Sequence, residues 1–145
     1  MDTETVKVSG EEGRGMRVML SGGGTGGHIY PALSIAEVLR SQLEDVTVLY
    51  VGTADGLEAD IVPKKGLDFA TITVQGLIGK SPLQLLAGSA KLARGLYQAG
   101  VLLRRFRPDA VVGTGGYVSG PPLLVAALTG VPTLIQEQNV YPGVT

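Results

Sequence analysis

The sequence has no cysteine, no tryptophan and a single histidine, and only 5% of its 145 residues are aromatic and 17% charged. Without cysteine there is neither a disulfide scaffold nor a thiolate metal site, and a reducing, cytoplasmic home fits. One histidine leaves little material for structural zinc, which wants a full tetrahedral set of N or S ligands. No apolar run reaches the ~18 residues of a membrane span. The first stretch, MDTETVKVSGEEGRG, lacks the apolar core of a signal peptide, so residues 1–15 read as a flexible tail. A net charge of −1 gives no global reason to expect nucleic acid. A 44% apolar content excludes a disordered chain. The length suits one domain with its own core, over residues 16–145.

Glycine and the placement of charge stand out instead. Glycine takes 22 positions, about twice its usual ~7% share, and it is clustered rather than periodic. Between Asp68 and Asp109 there is no acidic residue, yet six of the twelve basic ones fall there: Lys80, Lys91, Arg94, Arg104, Arg105 and Arg107. The near-neutral total hides a basic segment.

From Met16 onward, short β-branched runs alternate with helical stretches. Residues 17–21 (RVMLS), 46–51 (VTVLYV), 69–74, 110–113 and 133–136 read as strands. Helices are expected over 30–43, with Pro31 in the first turn, over 56–62 ending at Pro63, over 82–106 and over 121–129. In the long helix Gly88, Gly95 and Gly100 weaken propensity by up to ~1 kcal/mol each. This alternation predicts an α/β, doubly wound, Rossmann-like parallel sheet with helices on both faces. The chain then ends in a loop leaving a strand, which reads as a domain cut from a longer protein.

Two glycine loops each follow a strand and open a helix: Gly22-Gly23-Gly24-Thr25-Gly26-Gly27-His28 and Gly113-Thr114-Gly115-Gly116-Tyr117-Val118-Ser119-Gly120-Pro121. Absent Cβ atoms let backbone approach a ligand, and a helix N-terminus offers free N–H groups to an anion. The first and fourth strands of such a sheet commonly flank its switch point, so both loops would face one crevice and a phosphate-rich ligand. The pattern Gly22-x-Gly24-x-x-Gly27 also matches a dinucleotide fingerprint, but Asp55 comes late for a ribose ligand. Turn geometry alone explains one such loop less strainedly than two. His28, at the junction of loop and helix, is a candidate base, since imidazole is the side chain suited to exchanging a proton near neutral pH.

The stretches GGGTGGHIYPAL, GTADGLEADIVPKKG, GLIGK, PDAVVGTGGYVSGP and EQN, in this order, resemble the N-terminal domain of the MurG family. Those are the UDP-N-acetylglucosamine:lipid I transferases of peptidoglycan synthesis, two-domain GT-B enzymes. The resemblance runs from Met16 to the end. It implies inverting transfer of GlcNAc from UDP-GlcNAc to the 4-hydroxyl of MurNAc in lipid I, forming lipid II, without a cofactor. It implies that Thr25, Gly26, Gly27 and Asn139 touch the donor, and that His28 is the general base or orients the acceptor. Gly24, Gly115, Gly116, Tyr117 and Ser119 would line the acceptor diphosphate side. Most of the nucleotide sugar would be held by a C-terminal domain absent from this chain. Gln136 stands where many relatives carry His. No Asp-x-Asp pair supports a metal-bridged mechanism.

The long helix bears on the membrane. Leu85, Leu92, Leu96, Ala99, Leu103 and Phe106 form one stripe, best read as core. Leu83, Leu86, Ala90, Ala93 and Tyr97 form a second apolar face flanked by Lys91 and Arg94, with Ile78 and Lys80 in a loop tip before it. Either this face packs under a loop, or it meets an anionic bilayer. The resemblance, to peripheral proteins of the cytoplasmic membrane face, selects the bilayer. Two rival readings stay open: a non-catalytic membrane-docking subunit that recruits a separate donor-binding chain, and a nicotinamide-dinucleotide module.

Overall fold

Five parallel strands make one sheet in the order β3-β2-β1-β4-β5 in a computed structural model that describes residues 14–75 and 81–138. The strands are β1 (Met16–Gly22), β2 (Val46–Gly52), β3 (Asp68–Thr71), β4 (Ala110–Gly115) and β5 (Thr133–Ile135). Between them run α1 (Gly26–Gln42), α2 (Leu57–Lys64), α3 (Pro82–Phe106) and α4 (Gly120–Leu128), the last entered through a 3-10 turn, Tyr117–Ser119. Residues 1–13 of the expected tail, Ile78, Lys80 and Asn139 lie outside the described residues.

Successive strand residues point to opposite faces, and β1 shows it. Val18 and Leu20 join Ile29, Ala32, Val48, Tyr50 and Val62 under α1 and α2. Met19 joins Val51, Leu103, Val111 and Ala126 under α3 and α4. Both faces are therefore covered, as a parallel sheet requires. The strand order reverses between β1 and β4, which pair side by side as expected. Their register slips between Ser21 and Gly22, so Gly22 faces Gly115 and Thr114 is passed over.

Several expected boundaries move, and one expected face changes. Helix α1 begins at Gly26, not at residue 30, because Thr25 is the extended N-cap (φ −139°, ψ 158°) and its carbonyl accepts from His28 N and Ile29 N. The end of the first glycine loop is thus already helical, and Pro31 sits in the second turn. Helix α2 runs through Pro63 to Lys64, since proline in the last turn displaces only one bond to the carbonyl behind it. Strand β3 stops at Thr71 rather than residue 74, for Thr73 N donates to Gln98 Oε1 of α3 at 2.6 Å and leaves the sheet. There α3 crosses so closely that a Cβ on Gly95 would meet the Thr73 carbonyl, so this glycine serves packing.

The fourth correction concerns the stripe on α3. Only its second half is core: Ala99 and Leu103 are buried, whereas Leu85 and Leu92 are exposed. The helix packs on α4, and Leu103 of its C-terminal half joins the cluster on the sheet. Its first turn is closed by a capping box, with Gln84 N donating to Ser81 Oγ and Ser81 N to Gln84 Oε1.

Candidate functional site

Both glycine loops meet at the C-terminal ends of β1 and β4. Gly23 N donates to Gly115 O at 3.2 Å, and a Cβ on Gly116 would collide with the Gly23 carbonyl. Gly115 and Gly116 also have φ of 115° and 85°, the left-handed region that favours glycine. A crevice of about 360 Å³ opens beside them, lined by Gly24, Thr25, His28, Thr53, Gln75, Gly116 and Tyr117 among others.

His28 is the third residue of α1 and half-buried. Its Nδ1 lies 3.0 Å from Gly23 O and 3.4 Å from Thr25 Oγ1. A carbonyl can only accept, so the shorter contact places the proton on Nδ1 and leaves the Nε2 lone pair free. The ring edge carrying Nε2 lies over Gly115, where an added Cβ would stand 2.9 Å from Nε2 and 2.6 Å from Cδ2. Gly115 therefore lacks a side chain to make room for the imidazole.

Gly26 and Gly27 differ. Neither has positive φ, and an added Cβ would meet only the Tyr30 ring at 3.3 Å or Thr25 Oγ1 at 3.6 Å, respectively. They head α1, where the first N–H groups have no partner inside the helix. Gly24 is exposed with φ 84°, but its N–H is directed at Glu58 Oε2, which removes it from the donors facing an anion. Tyr117 is exposed on the crevice wall. Ser119, 2% exposed, lies beneath the loop and donates to Gly116 O.

Glu58 and Tyr50 carry the crevice floor, and neither stands among the expected site residues. Glu58 is fully buried; its Oε1 accepts from Thr53 N (2.9 Å) and Thr53 Oγ1 (2.8 Å) and its Oε2 from Gly24 N (3.3 Å). Tyr50 is buried and donates to Gly22 O at 2.7 Å. Burial, and secondarily the Glu58 charge, push its hydroxyl well above the ordinary tyrosine range. The signal for Glu58 was an acid set among the glycines of GTADGLEAD, each of which leaves it space.

The second face of α3 is open: Leu83, Leu86 and Tyr97 are 82%, 71% and 75% exposed, and Lys91 and Arg94 flank them in solvent. No helix among the described residues is long and apolar enough to cross a membrane.

Residues 18–145 match the glycosyltransferase family 28 N-terminal domain. Over 130 residues the chain is 58% identical to the UDP-N-acetylglucosamine--N-acetylmuramyl-(pentapeptide) pyrophosphoryl-undecaprenol N-acetylglucosamine transferase of Moorella thermoacetica, covering 90% of this chain and 35% of that protein. It is 51% identical, with the same coverage, to the transferase of that name from Desulfitobacterium hafniense strain Y51. The crystal structure of Acinetobacter baumannii MurG superposes with TM-score 0.76 at 34% identity, over 88% of this chain and 36% of the other. The chain thus spans about a third of the length of the curated relatives it matches.

Proposed function

Because the chain belongs to glycosyltransferase family 28, through that family's N-terminal domain, we propose that it is the acceptor and membrane half of an inverting GlcNAc transferase. The donor is UDP-GlcNAc, the acceptor the 4-hydroxyl of MurNAc in lipid I, and the product lipid II. The observation that carries this reading is the bare Nε2 of His28 held between two glycine loops at the switch point. Nε2 takes the hydroxyl proton as the oxygen bonds to the anomeric carbon, and UDP leaves from the opposite face. The α1 N-terminus, with Thr25, Gly26 and Gly27, faces the charge growing on the leaving diphosphate. Gly116 and Tyr117 face the acceptor. Asn139 joins the donor side, and a C-terminal domain supplies most of the nucleotide grip.

The exposed face of α3 docks on the cytoplasmic surface of an anionic membrane, which presents the lipid-linked acceptor beside the crevice. Its apolar residues, with Ile78 ahead of them, enter the headgroup layer, while Lys80, Lys91 and Arg94 meet lipid phosphates.

Turnover of lipid I by the full-length enzyme tests the site. His28→Ala is expected to cut kcat by roughly 10²–10⁴ without loss of fold. Near-parental turnover by the folded variant would remove His28 from the reaction. Vesicle sedimentation tests the face. Binding should rise with anionic lipid and fall with salt, each basic residue contributing ~1 kcal/mol. Leu86→Ser and Tyr97→Ser combined with Lys91→Gln and Arg94→Gln should abolish it. Undiminished sedimentation of that variant would assign membrane binding elsewhere.

A further inference from the structure

We infer that Glu58 and His28 form one unit, a carboxylate–histidine pair joined through the Gly23–Gly24 peptide group. Glu58 is a positioning residue in it. Its catalytic consequence rests on the proposed role of His28, but the pairing itself does not.

Glu58 has no exposure, and a carboxylate taken from water persists only where donors surround it. Two of its three come from Thr53, five residues back, and secure its own turn. The third, Gly24 N, is 34 residues away on a different loop. That N–H shares its peptide group with Gly23 C=O, and no described peptide bond is cis. In a trans peptide the two groups point in opposite directions. The carboxylate on the N–H side thus aims the carbonyl oxygen at the other side, where His28 Nδ1 lies at 3.0 Å.

The hydrogen bonds run one way, from Nδ1–H to carbonyl and from amide N–H to carboxylate, so each polarises the next. Two effects follow at the ring. The tautomer with a bare Nε2 is favoured, and the positive charge formed when Nε2 takes a proton is drawn toward a buried anion. A carboxylate bonded directly to an imidazole does the same in hydrolytic triads. Here a peptide group stands between them.

The surrounding backbone is shaped for this carboxylate. A Cβ on Gly23 would come to 2.5 Å from Glu58 Oε1, and one on Gly52 or Gly56 would collide with the same side chain. The competing partner for Nδ1, Thr25 Oγ1, lies farther off at 3.4 Å.

The chain has one histidine, so imidazole ¹⁵N NMR of the 145-residue chain reports a single ring. At mildly alkaline pH the parent is expected to show a protonated Nδ1 and a bare Nε2. A protonated Nε2 overturns the pairing without any variant. Glu58→Gln keeps the shape, but its amide oxygen should turn to the two donors of Thr53 and leave NH₂ against Gly24 N–H. The ring should then populate both tautomers, and Glu58→Ala should do the same. Thr53→Val loosens only the far arm, so it should lower the melting temperature with the tautomer unchanged. A single unchanged tautomer in the folded Glu58 variants, or equal mixing in Thr53→Val, overturns the pairing. In the full-length enzyme Glu58→Gln should lower kcat roughly 10–100-fold, the scale of lost orienting partners, with both KM values unchanged. Full turnover there, with His28→Ala inactive, would overturn it. If instead His28→Ala retains turnover while the ¹⁵N pattern holds, the base assignment fails and the pairing stands.

Discussion

The two glycine loops share a Thr-Gly-Gly core and lie side by side, yet their glycines answer to different neighbours. In the second loop Gly115 and Gly116 have positive φ, and the space beside them is filled by the His28 ring and the Gly23 carbonyl. In the first, Gly26 and Gly27 have ordinary helical backbone, and an added Cβ would meet only the Tyr30 ring or Thr25 Oγ1. Gly115 and Gly116, like Gly22 and Gly23 of the first loop, are glycines because the protein packs into them. Gly26 and Gly27 have no positive φ and sit at a helix N-terminus suited to an anion. A repeated motif is therefore not a repeated function.

The sharpest way to break this comparison is to add a methyl group on each side. Gly116→Ala puts a Cβ into the Gly23 carbonyl at a φ of 85°. Strain of ~1–3 kcal/mol plus the clash should exceed ~3 kcal/mol in total, roughly 6–12 °C in melting temperature. A melt within error of the parent would show that the loops are not interlocked. Gly27→Ala should behave oppositely. Its Cβ meets only Thr25 Oγ1 at 3.6 Å, and alanine is the better helix former by up to ~1 kcal/mol, so the melt should hold or rise. The cost should appear in KM for UDP-GlcNAc, roughly tenfold for one weakened hydrogen bond to a charged group. Unchanged KM would leave Gly27 with a structural role only.

The smallest effect sharpens how the first loop is anchored from beneath. Tyr50→Phe removes the hydroxyl bonded to Gly22 O and should lower stability by ~0.5–1.5 kcal/mol. It should also alter the alkaline limb. With the folded-state pKa raised, the Tyr50 contribution is fully present below the unfolded value near ~10 and is lost progressively as pH climbs from there toward the folded-state value. Chemical denaturation across that range should show the parent losing more stability than Tyr50→Phe. Parallel pH profiles would place this hydroxyl in contact with solvent.

Much of this was legible in advance because it depends on near neighbours. The five strands, the span of α3 from Pro82 to Phe106 and the meeting of both loops at one crevice follow from apolar period, caps and turn residues. The exposure of Leu83, Leu86 and Tyr97 was left open by the pattern, which fits a face packed under a loop equally well. The exposure of Leu85 and Leu92 was not legible, because the pattern does not say where the supporting element ends. The early start of α1 escaped for a different reason. Glycine has poor helix propensity, and only the N-cap geometry of Thr25 reveals that Gly26 and Gly27 are already helical.

By itself, then, the sequence determined the layered parallel fold, the two loops and the lone histidine between them, through patterns that act over a few residues. The tertiary structure alone decided what each loop glycine is for. Gly115 makes room for His28, 87 positions earlier, only because β1 and β4 are neighbours in the sheet. Glu58 reaches Gly24 only because β2 flanks β1 on the other side. Hydrogen bonds and steric exclusion act through space over a few ångströms, and chain order carries no direct measure of that distance.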